Sequence, residues 1–91
     1  MRILIIEDEP LAAAQLAALV VQLKPGAEIA GVCDTVESAV KWFTTNLQPD
    51  LAFFDIQLGD GLSFEIFKSV EIATPVIFTT AYDNMHFRLL K

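Results

Sequence analysis

The sequence lacks three features that would each assign it to a class of protein. Cys33 is the only cysteine in 91 residues, which excludes an internal disulfide and fits a reducing, cytoplasmic location. No apolar run approaches the roughly 20 residues of a membrane span, and the apolar run at the N-terminus is too short for a signal peptide. Basic residues are scarce: six Lys and Arg against twelve Asp and Glu give a net charge of −6, which argues against direct binding to nucleic acid or an anionic membrane.

Apolar residues, in contrast, are abundant. They make up 54% of the chain, which is too apolar for a disordered segment. The length suits one small domain, so residues 1–91 are treated as a single domain. Chains of this size bury only about 60% of the surface exposed on unfolding, so we expect marginal stability.

Short continuous apolar runs alternate with amphipathic segments. The continuous runs predict strands buried on both faces, at residues 3–6, 29–33, 51–54 and 76–79. Apolar residues at helical spacing predict intervening helices, at residues 10–24, about 35–47, 62–70 and 85–91. The predicted stripes are Leu16, Leu19, Val20 and Leu23 in the first helix, and Val36, Ala39, Val40, Phe43 and Leu47 in the second. This alternation predicts an α/β fold with a parallel sheet between two helical layers.

Acidic residues follow two of the predicted strands. Glu7 and Asp8 follow the first, and Asp55 follows the third. Ligands of open parallel sheets bind beyond these strand ends. Carboxylates gathered there repel one another unless a cation lies among them, and their hard oxygens suit Mg²⁺. Such a carboxylate can hold the ion, or it can attack phosphorus to form an aspartyl phosphate.

A possible phosphoryl-binding pair follows the fourth predicted strand. Thr80 offers a hydroxyl on the far side of Asp55, and the backbone N–H of Ala81 lies beside it. A carboxylate flanked by a metal and by such donors is arranged to bind a phosphoryl group. Each residue also has a simpler structural explanation, because acids favour a helix N-terminus and Asp is common in turns. The three matching strand ends favour the phosphoacceptor hypothesis.

Taken together, Glu7-Asp8, Asp55, Gly61 and Thr80-Ala81 resemble the receiver domains of bacterial two-component response regulators. Residues 54–64 and 78–83 are most similar to receivers of the LytTR class, in which a DNA-binding domain follows. The resemblance implies a flavodoxin-like doubly wound sheet, in which the family order is 2-1-3-4-5. It implies a signalling switch rather than an enzyme, a sensor histidine kinase as partner, and a transcriptional regulator as the parent protein.

The same resemblance implies a role for each residue of the acidic site. Asp55 would accept the phosphoryl group. Asp8 and Asp55 would hold Mg²⁺ directly, Glu7 would do so through water, and the main-chain carbonyl of Gln57 would supply a further oxygen.

The resemblance is incomplete at the C-terminal end. In the family, Thr80, the Ala81 amide and a lysine after a fifth strand would contact the phosphoryl group, but Lys91 follows Thr80 too closely to be that lysine. We therefore expect the order 2-1-3-4 with the fifth strand and fifth helix absent, and a receiver domain incomplete at its C-terminus. The open edge of residues 76–79 and uncovered apolar surface beside the first helix would then predict self-association.

Two alternative functions stay open at this point. Haloacid-dehalogenase-like phosphatases also place a nucleophilic aspartate after a parallel strand, but they need an acid two residues later, where this chain has Gln57. A degenerate receiver used only for protein contacts would have no need of the acidic cluster.

Overall fold

The computed structural model of the chain describes residues 1–82 and 86–90, with side chains described as far as Thr79. The first half follows the predicted alternation of strand and helix. Its elements are β1 (Arg2–Ile6), α1 (Pro10–Leu23), β2 (Glu28–Cys33), α2 (Val36–Thr45) and β3 (Leu51–Asp55). Thr35 caps α2, since its hydroxyl oxygen accepts a hydrogen bond from the Ser38 amide at 2.9 Å and supplies a partner for one of the free N–H groups at the helix start.

The second half departs further from the prediction. It contains a small hairpin of β4 (Gln57–Leu58) and β5 (Gly61–Leu62), a 3₁₀ turn (Ser63–Glu65), α3 (Ile66–Ser69), β6 (Val76–Tyr82) and β7 (His86–Leu90). The helix predicted at residues 62–70 is therefore shorter than expected: Leu62 pairs with Gln57 in the hairpin, residues 63–65 form the 3₁₀ turn, and the α-helix begins only at Ile66. Gly61 has φ +148°, a conformation that favours glycine and sets the chain's entry into that helix.

The main sheet has the strand order β2-β1-β3-β6-β7. β1 pairs in parallel with β2 and β3, and β3 pairs in parallel with β6, which confirms the predicted 2-1-3-4 order. Ile6 lies opposite Phe54, and Asp55 lies opposite Thr79. The C-terminal ends of the three central strands therefore meet at one edge of the sheet.

The prediction of a helix at residues 85–91 is wrong for the part that the structure describes. His86–Leu90 forms β7, which runs antiparallel to β6 from Phe78 opposite Leu90 to Tyr82 opposite His86. Residues 83–85 and Lys91 lie outside the described residues. A helix of about seven residues is marginal on its own, whereas the unpaired backbone groups of an edge strand offer partners to a neighbouring segment. Of residues 76–79, the edge that was expected to be open, Phe78 and Thr79 are thus paired.

Two apolar clusters cover the two faces of the sheet. Ile3 and Ile5 pack with Ala13 of α1 on one face, while Leu4 and Ile6 belong to the cluster under α2 and α3 on the other. These four residues of β1 are at most 2% exposed. Burial on both faces explains why this strand is a continuous apolar run, and it holds the start of the acidic segment on a rigid support.

Three residues of the predicted helical stripes are exposed. Leu19 and Leu23 are 50% and 73% exposed, and Leu47 is 83% exposed because α2 ends before it. Beside α1 lies a groove of about 590 Å³ whose lining includes Leu16, Leu19 and Thr79. The stripe of α1 therefore has a buried side and an uncovered side. Among the described residues, no helix is long and apolar enough to cross a membrane.

Candidate functional site: an acidic crevice at the strand ends

The ends of β1 and β3 bring three acidic side chains together. One carboxylate oxygen from each of Glu7, Asp8 and Asp55 lies within 4.8 Å of the others. β3 ends at Asp55, and β1 ends one residue before Glu7. Because the two strands are parallel neighbours, their carboxyl ends lie at the same edge of the sheet. The crevice thus contains the three acids that the sequence predicted to be neighbours.

Glu7 is held in place by the backbone around it. Its N–H donates to the Cys33 carbonyl at 2.9 Å, which extends the pairing of β1 with β2 by one residue. Its carboxylate accepts the Glu9 N–H at 3.1 Å, next to the start of α1 at Pro10. Glu7 is only 8% exposed, so its carboxyl group has little access to water.

Burial and crowding make these acids hard to ionise together. Desolvation raises the pKa of Glu7 from 4.5 to about 7, with further upward contributions from Asp55 and Asp8 that the Glu9 amide partly offsets. Burial and the charge of Asp8 also raise the pKa of Asp55, against the lowering effects of Glu7 and of the amides of Gln57 and Ile56. Without a cation the crevice therefore retains a proton near neutral pH.

The β4–β5 hairpin carries the segment that follows Asp55. The Ile56 N–H donates to the Thr79 carbonyl at 3.1 Å, and the Ile56 carbonyl accepts the Ser63 N–H at 2.9 Å. Gln57, whose carbonyl was predicted to face a metal, is the first residue of this hairpin. A Cβ atom built on Gly59 would lie 3.9 Å from Asp8 Oδ2. The turn of the hairpin therefore passes close to the crevice.

Thr80 and Ala81 lie on β6, directly after the residue that pairs with Asp55. Their backbone positions lie opposite Arg88 and Phe87 of β7. The side chain of Thr80 is outside the described part of the chain. The predicted contact between its hydroxyl and a phosphoryl group therefore stays a prediction.

Asp60 has a role that sequence reasoning missed. It reads as a turn residue beside Gly61, but its carboxylate accepts the backbone N–H groups of Val36 at 2.8 Å and Glu37 at 3.2 Å. These hydrogen bonds hold the pKa of the exposed Asp60 carboxyl below its usual range. The partners lie 23 and 24 residues away in the chain, so no local pattern could have identified them.

Comparison with known proteins assigns the chain to one family. Residues 3–90 match the family described as the response regulator receiver domain. The chain belongs to this family. The receiver is 47% identical over 85 residues to the phyllosphere-induced regulator PhyR of Methylorubrum extorquens, covering 88% of this chain and 30% of that protein.

Two further relatives show the range of proteins that carry a similar receiver. The chain is 37% identical over 87 residues to the sensory transduction protein LytT of Bacillus cereus, covering 92% of this chain and 35% of LytT. The crystal structure of the anti-anti-sigma factor PhyR from Bartonella quintana superposes with a TM-score of 0.69 at 36% identity, covering 88% of this chain and 33% of that one. The receiver thus spans about a third of the length of the relatives it matches.

Glu7 gives the receiver an unusual pH dependence. Because its folded pKa is raised, the protonated carboxyl stabilises the fold fully below about pH 4.5, and this contribution is lost as the pH rises through about 7. We expect the metal-free chain to lose a few kcal/mol of unfolding free energy across this window, at roughly 1.4 kcal/mol per pKa unit. Urea unfolding of wild type and Glu7→Gln at both ends of the window measures it. The variant should have a clearly smaller slope, with the remainder due to the raised pKa of Asp55. The exposed-site control Glu28→Gln should behave like wild type, and a wild-type slope in Glu7→Gln would contradict the assignment.

Proposed function

We propose that Asp55 accepts a phosphoryl group from the phosphohistidine of a sensor histidine kinase, in the presence of Mg²⁺, and that the chain acts as a phosphorylation-dependent signalling switch. The observation that carries this proposal is the convergence of Glu7, Asp8 and Asp55 within 4.8 Å at the ends of β1 and β3. A structural role in a turn explains Asp55 alone, but it does not explain why three carboxylates share one crevice, where the pKa values of Glu7 and Asp55 are raised.

The donor set suits a hard divalent cation. Mg²⁺ favours a site with a few carboxylates and room for water, and a cation would remove the repulsion that raises the pKa of Glu7 and Asp55. Asp8 and Asp55 would bind it directly, with the Gln57 carbonyl, and Glu7 would bind through water. When bound, the ion would neutralise charge on the phosphoryl oxygens.

The transfer itself needs little from the protein beyond positioning. An Asp55 carboxylate oxygen forms a bond to phosphorus while the P–N bond to histidine breaks, and the bonding electrons return to the imidazole ring. Asp55 lies at the end of β3, opposite Thr79, on a strand held between two neighbours, so its carboxylate is fixed for in-line attack. The hydroxyl of Thr80 and the amide of Ala81 would bind the phosphoryl oxygens on the other side.

An enzymatic function has less support. A phosphatase of the haloacid-dehalogenase type needs an acid two residues after its nucleophile, and the chain has the amide side chain of Gln57 there. A degenerate receiver that serves only for protein contacts would have no reason to keep Glu7 buried beside Asp8 and Asp55, because an ionised buried carboxylate costs stability. Both alternatives are therefore weaker than the switch.

The output of the switch belongs to a larger protein. We propose residues 1–91 as an incomplete receiver domain of a DNA-binding transcriptional regulator of the LytTR class, in line with the similarity to LytT. The higher identity to PhyR, together with the anti-anti-sigma activity named for PhyR of Bartonella quintana, favours a second candidate, binding of a protein partner that controls a sigma factor. A basic DNA-binding domain in the parent protein would distinguish the first from the second.

Phosphorylation tests the proposal directly. We expect the chain to take up phosphate from acetyl phosphate and Mg²⁺ on Asp55 only, and slowly, because the family's lysine contact is not among these residues. Intact-mass measurement followed by peptide mapping locates the label. Asp55→Asn should abolish it and Asp8→Asn should reduce it strongly, whereas Asp50→Asn, at the opposite edge of the sheet beside the Arg2 amide, should leave it unchanged. Equal labelling of Asp55→Asn and wild type would refute the site.

The groove beside α1 supports self-association of the chain. Its lining includes Leu16 and Leu19 of α1, and Leu19 is half exposed. Since β7 pairs with β6 from Phe78 to Tyr82, the open-edge argument no longer applies to that part of the strand. The uncovered side of α1 remains, and a second copy that buries it would supply apolar burial that a chain of this size needs.

Analytical ultracentrifugation at tens of micromolar decides whether the chain associates. We expect wild type to sediment as a dimer or larger species, because the groove leaves apolar surface in water. Leu19→Glu should shift the distribution to monomer, since it places a charge in the groove. Leu47→Glu, which changes a more exposed leucine outside α1, should sediment like wild type. A well-folded wild-type monomer would contradict the proposal.

A further inference from the structure

The turn of the β4–β5 hairpin connects the acidic crevice with the start of α2. Gly59 and Asp60 are the two residues between β4 and β5. Gly59 passes near Asp8 Oδ2, with a hypothetical Cβ at 3.9 Å. The carboxylate of the next residue, Asp60, accepts hydrogen bonds from two N–H groups of α2. Two consecutive residues of the turn therefore lie beside two different parts of the fold, the crevice and the start of α2.

The hydrogen bonds of Asp60 are arranged as a two-pronged attachment. One oxygen accepts the Val36 N–H at 2.8 Å, and the other accepts the Glu37 N–H at 3.2 Å. These are the first two amides of α2, which have no partner within the helix. The third amide, that of Ser38, is already bound by Thr35. A carboxylate at this end also interacts favourably with the helix dipole.

The described contacts of the rest of the hairpin are made by Ile56, just before β4, and by Leu58, which faces the core. Ile56 is bound on both sides, to Thr79 and Ser63, and Leu58 is 3% exposed in the core. The turn itself carries a glycine and an exposed aspartate, so apolar packing does not fix it. Among the described contacts, the Asp60 carboxylate is the one that ties this turn to a helix.

We propose that Asp60 is a positioning residue for the metal site: by tying the turn of the β4–β5 hairpin to the first amides of α2, it holds Gln57 and Gly59 over the acidic crevice. This inference rests on the proposed function, because it assumes that Mg²⁺ binds there with the Gln57 carbonyl as a ligand. The simpler alternative is that Asp60 only caps α2. The two differ in whether untying the hairpin changes metal affinity or only stability.

The matched variants separate these roles. Asp60→Ala removes both the cap and the attachment of the hairpin. Thr35→Ala removes a cap bond from the same helix end and leaves the hairpin attached. Asp60→Asn removes the charge but keeps one oxygen that can accept the shorter bond from Val36. Asp8→Asn tests the metal site itself.

Isothermal titration with Mg²⁺ on the 91-residue chain, with the folded fraction checked by circular dichroism, measures the effect. We expect Asp60→Ala to weaken binding roughly tenfold, in the range found when outer partners of metal ligands are lost. Thr35→Ala should keep wild-type affinity although it unfolds more easily. Asp60→Asn should fall between wild type and Asp60→Ala, and it carries the test if the alanine variant does not fold.

Each contrary outcome has a separate meaning. Wild-type affinity in both Asp60 variants, with Asp8→Asn impaired, would overturn the positioning role and leave the proposed function intact. Equal loss in Asp60→Asn and Asp60→Ala would show that charge acts at a distance, which also overturns it. Unchanged affinity in Asp8→Asn would refute the metal site on which the inference rests. Amide NMR chemical shifts of Val36 and Glu37 that are unchanged in Asp60→Ala would show that Asp60 does not bind these amides in solution, which would refute the attachment.

Discussion

The backbone at Glu7 and Asp55 is fixed by the sheet at the ends of β1 and β3. Glu7 continues the pairing of β1 with β2, and Asp55 ends a strand with neighbours on both sides. Both strands are anchored by side chains packed on each face of the sheet, including the fully buried Phe54. Movement of the backbone at Glu7 and Asp55 therefore gives the repulsion between their carboxylates little relief. This repulsion can be relieved by a retained proton, which the raised pKa of Glu7 reflects, or by a cation.

This constraint links the fold to the chemistry. Pairing within a buried parallel sheet fixes the positions of the strand ends, and the acids occupy those ends. The elements around the crevice then act as supports: the start of α1 places the Glu9 amide on Glu7, and the hairpin after β3 lies across Asp8 at Gly59. The carboxylates of the crevice repel one another when they are ionised, and binding of a cation or a proton would reduce this repulsion. The stability of the fold and the occupancy of the site are consequently coupled.

Much of this could be predicted from the sequence because the decisive signals are local. Residues 3–6 are a continuous apolar run, and β1 is buried on both faces; the acids follow directly, so parallel pairing brings them together. The failures involve partners distant in the chain. Nothing near Asp60 indicates its bonds to α2. The apolar residues at 86–90 are compatible with helix or strand, and pairing with β6 decides between them. Leu19 fits a helical stripe, but its exposure depends on which elements cover α1.

If Mg²⁺ binds in the crevice, it should replace the proton that the acids retain there. Calorimetric titration of Mg²⁺ about one pH unit below the Glu7 pKa of about 7, where this carboxyl is mostly protonated, in two buffers of different ionisation enthalpy gives the number of protons released per ion bound. We expect a net release approaching about one proton per Mg²⁺ bound, and a much smaller release in Glu7→Gln. Binding of Mg²⁺ without proton release, or no binding at all, would contradict this expectation.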